Sequence, residues 1–222
     1  MKENENVLNL PINSTKENMQ NKKCDYKTLS IITVYSNKTP FLEDDSVEEL
    51  YRYLYRNKLL AKSAEIEELS NLKINTVLKN VNKLSKLNNR MVNPVKTESG
   101  EIIYYINYTN EKCRGYVTIP EKQLRFLIHT GNSNVIKTYV LLKYMCKNGE
   151  KRISRKYIAE QIGLSPKSKN NLQAITDILI SLENNSFIHR RCETNTEDSK
   201  INTHIYYSVN SYEYRLDNYK KK

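Results

Sequence analysis

Lys167, Ser168, Lys169, Asn170, Asn171, Gln173 and Thr176 gather polar and basic groups in one short stretch. Asn and Gln amides can bond an adenine edge in pairs, and Lys can reach guanine or a phosphate oxygen. The stretch runs into a segment with Leu172, Ile175, Leu179 and Leu182 at helical spacing. A second polar set, Lys73, Asn75, Thr76, Lys79, Asn80, Asn82 and Lys83, lies opposite the stripe Ile74, Val77, Leu78, Val81, Leu84 and Leu87. Arg155 and Lys156 open the helix before the first cluster, where a helix N-terminus favours an anion. Arg190 and Arg191 start a later strand and would reach a duplex backbone or minor groove. Taken singly, each of these side chains is an ordinary solvated residue, so the expectation rests on the clusters.

Other chemistry is poorly supplied. His129, His189 and His204 are scattered, and no His-hydrophobe-His metal motif occurs. The 5 Gly form no phosphate-cradling loop. Cysteines at 24, 113, 146 and 192 fit neither a zinc site nor a dense disulfide frame, which predicts reduced thiols. The expectation is a protein that is not an enzyme and needs no cofactor or metal. No apolar run reaches the roughly 18 residues of a membrane span, and the N-terminus lacks an apolar core of signal-peptide length. A cytoplasmic protein without a membrane partner is expected.

The 222 residues carry a net charge of +11, which argues for a polyanionic partner and says nothing about fold. Residues 1–45 are slightly acidic (6 Lys/Arg, 7 Asp/Glu), and 46–110 weakly basic (10 and 7). Residues 111–222 hold 20 basic and 11 acidic side chains. The second half is therefore expected to supply most of the phosphate affinity.

The elements that must position these groups read as follows. Residues 1–28 are polar and predict a disordered tail. Leu29–Tyr35 is rich in β-branched residues and predicts a short strand. Ser46 and Glu49 match a capping box, and Val47, Leu50, Tyr51 and Leu54 extend a helix to about Asn57. Ser63 caps a short helix, a break follows at Ser70-Asn71, and the Ile74–Leu87 helix comes next. A hairpin closes the half, with Pro94 confining its first strand to an edge, a turn at 98–100 and a strand over Ile102–Tyr108.

The second half repeats this order. A helix carries Val135, Tyr139, Leu142 and Met145 and stops near Gly149. Arg152–Ser154 predicts a short strand, and Ser154 caps a helix with Tyr157, Ile158, Ala159 and Ile162. That helix stops at Gly163, and a turn through Ser165–Asn171 leads into the Leu172–Leu182 stripe. Strands from Phe187 and over Ile201–Tyr207 flank a polar tip at 193–200. Tyr51, Tyr55, Tyr139 and Tyr157 sit on apolar stripes and predict core packing. Between the halves, Tyr116–Ile128 is too apolar for a linker, and Pro120 with Leu124, Leu127 and Ile128 predicts a helix.

Small Ala159, then Gly163 for a positive-φ turn, then Leu164 at the corner is the logic of a helix-turn-helix. With the basic hairpin behind it, this segment resembles winged-helix DNA-binding domains. Glu65–Leu84, with Thr76-Val77 opening the later helix, resembles the same motif, with Asn71 near the turn where glycine is usual. The resemblance implies an α+β, mainly α fold of two winged helix-turn-helix modules in tandem, 29–110 and 111–215, with a basic tail at 216–222. It is similar to the replication initiators of bacterial plasmids and phages. Those bind repeated origin sequences in double-stranded DNA and recruit host replication proteins. A transcriptional regulator working with host transcription proteins is the close rival. A protein-interaction adaptor and an RNA-binding role are the other readings. A homodimer is compatible with each.

Overall fold

The computed structural model describes residues 7–13, 24–35, 52–86, 92–96, 98–100, 102–106, 113–197 and 200–211. The fold is α+β and mainly helical. The chain divides into two compact units, Met1–Ile136 and Lys137–Lys222, rather than after residue 110.

Unit 1 begins with β1 (Val7–Asn13) and α1 (Tyr26–Tyr35). Both fall where the sequence predicts something else. The disordered tail does not hold for Val7–Asn13, whose Leu8 and Leu10 are fully buried. The predicted strand at 29–35 is a helix. Its β-branched run is buried on every side, so packing overrides the local strand preference. Ser30 and Thr33 hydroxyls donate to the carbonyls of Tyr26 and Leu29 one turn back, at 2.6 and 2.9 Å, which lets polar side chains sit in a dry environment. The Asp25 carboxylate accepts from the backbone N–H of Lys27 and Thr28 at 3.0 and 3.3 Å and caps the helix.

The unit continues with β2 (Arg52–Tyr55), α2 (Arg56–Ala61), α3 (Ser63–Ser70) and α4 (Ile74–Ser85). The helix predicted over 46–57 is a strand at 52–55, paired antiparallel to a later strand; residues 46–51, with the capping box and Tyr51, lie outside the described residues. Then come β3 (Val92–Lys96), β4 (Ile102–Ile106), β5 (Cys113–Pro120) and α5 (Glu121–Thr130). The three-stranded sheet has the order β2-β4-β3, so β3 with Pro94 is an edge strand. β5 pairs antiparallel with β1 and buries Val117 and Ile119, while α5 buries Leu124, Leu127 and Ile128 against α1 and α3. The predicted inter-module segment is thus part of unit 1. Gly131 ends α5, where a Cβ would stand 2.7 Å from the Leu127 carbonyl oxygen.

α6 (Ser133–Met145) opens in unit 1 and continues in unit 2, followed by β6 (Lys151–Arg152), α7 (Arg155–Ile162), α8 (Lys169–Asn184), β7 (Ile188–Glu197) and β8 (Lys200–Val209). Unit 2 buries Tyr139, Leu142, Ile158, Ile175, Leu179 and Phe187, with Tyr139 and Phe187 edge-to-face at 5.1 Å. Tyr157, predicted to be core, is 40% exposed. The sheet order is β6-β8-β7, all antiparallel.

The two units share an element order. Each has a helix, a short strand, a helical segment, a longer helix and a hairpin. In each, the short strand pairs with the second hairpin strand. α1 answers α6, which was the position the sequence assigned to 46–57.

Candidate nucleic-acid interface

The corner between α7 and α8 is fixed by local chemistry. Ser154 caps α7 by accepting from the Tyr157 N–H at 3.1 Å. Gly163 stops the helix at φ 92, a conformation that an L side chain resists. The Leu164 N–H reaches back to the Ala159 carbonyl at 2.8 Å, closing a Schellman-type end. Ser168 caps α8 by accepting from the Asn171 N–H at 3.3 Å. The Asn171 amide donates to the Ser165 carbonyl at 3.2 Å and ties the turn to the helix it precedes. Ile158, Ala159 and Ile162 of α7 and Ile175, Ile178, Leu179 and Leu182 of α8 are buried.

Of the residues singled out by sequence in this unit, Lys167, Lys169, Asn170 and Gln173 are exposed together at the start of α8, and Arg155 and Lys156 are exposed at the start of α7. Ser168 and Asn171 hold the corner itself. Gln173 donates to Asp177 at 2.8 Å, so a carboxylate stands one turn further along the same face. The Arg155 guanidinium donates to the Thr176 hydroxyl at 2.9 Å, and Thr176 in turn donates to the Leu172 carbonyl at 3.0 Å.

Arg190 and Arg191 do not stand as unpaired cations. Arg190 bonds Glu183 through Nε at 2.6 Å and through its backbone N–H at 3.2 Å. Arg191 bonds Glu150 at 2.6 Å through Nη2 and also bonds Glu193, with its guanidinium 4.5 Å from the centre of the Tyr206 ring. Hydrogen bonds from Arg191 hold the Glu150 and Glu193 carboxyls below their usual range, and the two carboxylates raise the arginine. These ion pairs fasten the base of the hairpin.

In unit 1, α3 ends at Ser70 and Asn71 turns with φ 55, its N–H bonded to the Glu67 carbonyl at 2.8 Å. The Glu67 carboxylate crosses the turn, accepting from the Ile74 N–H at 3.0 Å and from Lys73 Nζ at 2.9 Å. Those bonds, the backbone one first, pull its pKa below the usual carboxylate range. The start of α4 is therefore already occupied by an internal anion. Asn75, Thr76, Lys79 and Lys83 are exposed on α4. The Asn80 amide donates to Asp25 at 2.9 Å and Thr28 at 3.2 Å, joining α4 to the cap of α1.

Sequence reading passed over Arg152 and His204. They are far apart in the chain, but β6 pairs with β8 so that Arg152 stands opposite Tyr206, two residues from His204. With the observed division, unit 2 holds 16 Lys/Arg against 9 Asp/Glu, and unit 1 holds 20 against 16. Among the described residues, no helix is long and apolar enough to cross a membrane, and no group of His, Cys, Asp and Glu is arranged to hold a metal. No protein-family model matches the chain, and no curated protein matches it.

Proposed function

We propose that the chain binds double-stranded DNA sequence-specifically through two winged-helix modules and acts as a replication initiator of the plasmid or phage type. The observation that carries this reading is the α7–Gly163–α8 corner, with Lys167, Lys169 and Asn170 exposed at the start of the second helix. In a helix-turn-helix those first residues are the ones that meet base edges. The shared element order of the two units and the basic excess of unit 2 support it further.

Selection of bound sequences from a random duplex library tests the reading. Two adjacent boxes would fit two modules, and direct repeats would fit an initiator. A short palindrome would instead favour a dimeric regulator. Affinity should fall steeply with added salt, because phosphate contacts release counterions. Failure to bind any duplex at low salt, with a protein partner co-purifying, would replace the reading with that of an adaptor.

A further inference from the structure

We infer that a concavity of unit 2, between β6, the first turn of α7 and β8, seats one backbone phosphate of the bound DNA, gripped by Arg152, Arg155 and His204. The inference rests on the DNA reading above and adds two residues to it.

The concavity has a volume of about 200 Å³. Small-molecule pockets run from about 300 Å³ upward, so this one suits a chemical group rather than a whole ligand. Ile153, Ile205 and the buried Tyr207 give it an apolar part, and its Arg152, Arg155 and His204 come from three separate elements. Among the described residues that line it, none is a carboxylate. That sets it apart from the hairpin base, where Arg190 and Arg191 are each matched by glutamates. Glu193 stands opposite His204 on β7 and Glu150 two residues before Arg152, and both are held by Arg191.

Two guanidiniums and an imidazole belong to the residues that line a space of this size, and together they can offer N–H donors to a tetrahedral oxyanion. Arg155 uses one N–H on Thr176 and keeps others. That bond fixes the guanidinium against α8, so a phosphate in the seat has a set position relative to the helix that reads bases. The seat thereby sets register as well as affinity.

The test measures binding of a short fluorescent duplex to the full chain across a salt series. Arg152→Ala should weaken binding about five- to tenfold and lower the salt slope by about one. Arg152→Lys should keep the slope. Lys122→Ala, exposed on α5 of unit 1, removes the same charge and serves as the control. A wild-type chain that binds steeply, with Arg152→Ala and His204→Ala both indistinguishable from Lys122→Ala, overturns the seat and leaves the DNA reading standing. A wild-type chain that binds no duplex overturns the DNA reading and the seat with it. Inorganic phosphate, added at constant ionic strength while the His204 ring resonances are followed, separates the sources. Saturation by phosphate alone, with duplex affinity unchanged in Arg152→Ala, would assign a free-anion site and overturn the proposal.

Discussion

The guanidinium of Arg155 and the hydroxyl of Thr176 lie 2.9 Å apart and join the first turn of α7 to α8. Thr176→Val keeps the shape and removes the hydroxyl. The bond between them is exposed to solvent, so stability should drop by no more than about 1 kcal/mol. Duplex affinity should fall about threefold, because Arg155 loses its fixed position. Equal affinity for the two proteins in an anisotropy titration would show that the bond positions nothing.

Neighbouring residues at the start of α8 should separate into two kinds. Lys169→Ala with Asn170→Ala removes exposed side chains and should weaken binding and relax sequence preference, with an unchanged melting temperature. Asn171→Ala removes the tie to Ser165 and should cost about 1 kcal/mol of unit 2 stability. Urea melts and library selection on both variants would reveal the split; a stability loss in the double variant would contradict it.

The turn residues of the two units invite opposite substitutions. Gly163→Ala forces a Cβ into a left-handed conformation and should cost about 1–2 kcal/mol. Asn71→Gly relieves a similar constraint at φ 55 and should be close to neutral. Denaturant midpoints for the two variants decide this directly.

Glu67 carries a pH dependence with a definite sign. Its folded pKa is depressed, so its contribution is complete above the unfolded glutamate value of about 4.3 and fades as pH falls through the folded value. Unit 1 should therefore lose stability in acid, and Glu67→Gln should flatten that loss. The same variant removes an anion from the start of α4 and should raise non-specific DNA affinity. A melting temperature with the same acid slope in both proteins would count against this role.

Asn80 marks where sequence reading reached its limit. On α4 it is one more polar residue opposite the apolar stripe, like Lys79 and Lys83. Only the fold brings Asp25 and Thr28 across to it. The stripes of α4, α7 and α8, the Gly163 stop, the Ser154 cap and the edge position of Pro94 were legible, because each follows from local backbone rules. α1 was not, because burial on all sides erases periodicity and its β-branched residues favour a strand. β1 left a usable trace in the alternation of Leu8, Leu10 and Ile12, masked by polar surroundings and Pro11. Glu193 lies two residues from Arg191 on β7, but Glu183 and Glu150 lie on other segments, so the charge of the hairpin could be counted from the sequence but most of its pairing could not.

For a duplex bound to unit 2, the hairpin would also be a ruler. Its strands have ten residues each, and at about 3.3 Å per residue they extend roughly 30 Å. One turn of duplex DNA is about 34 Å. A duplex seated on α8 would thus lie within reach of a ribbon nearly as long as its own pitch. The stretch of DNA shielded from cleavage by unit 2 would then be set by the length of the ribbon as much as by the helix in the groove.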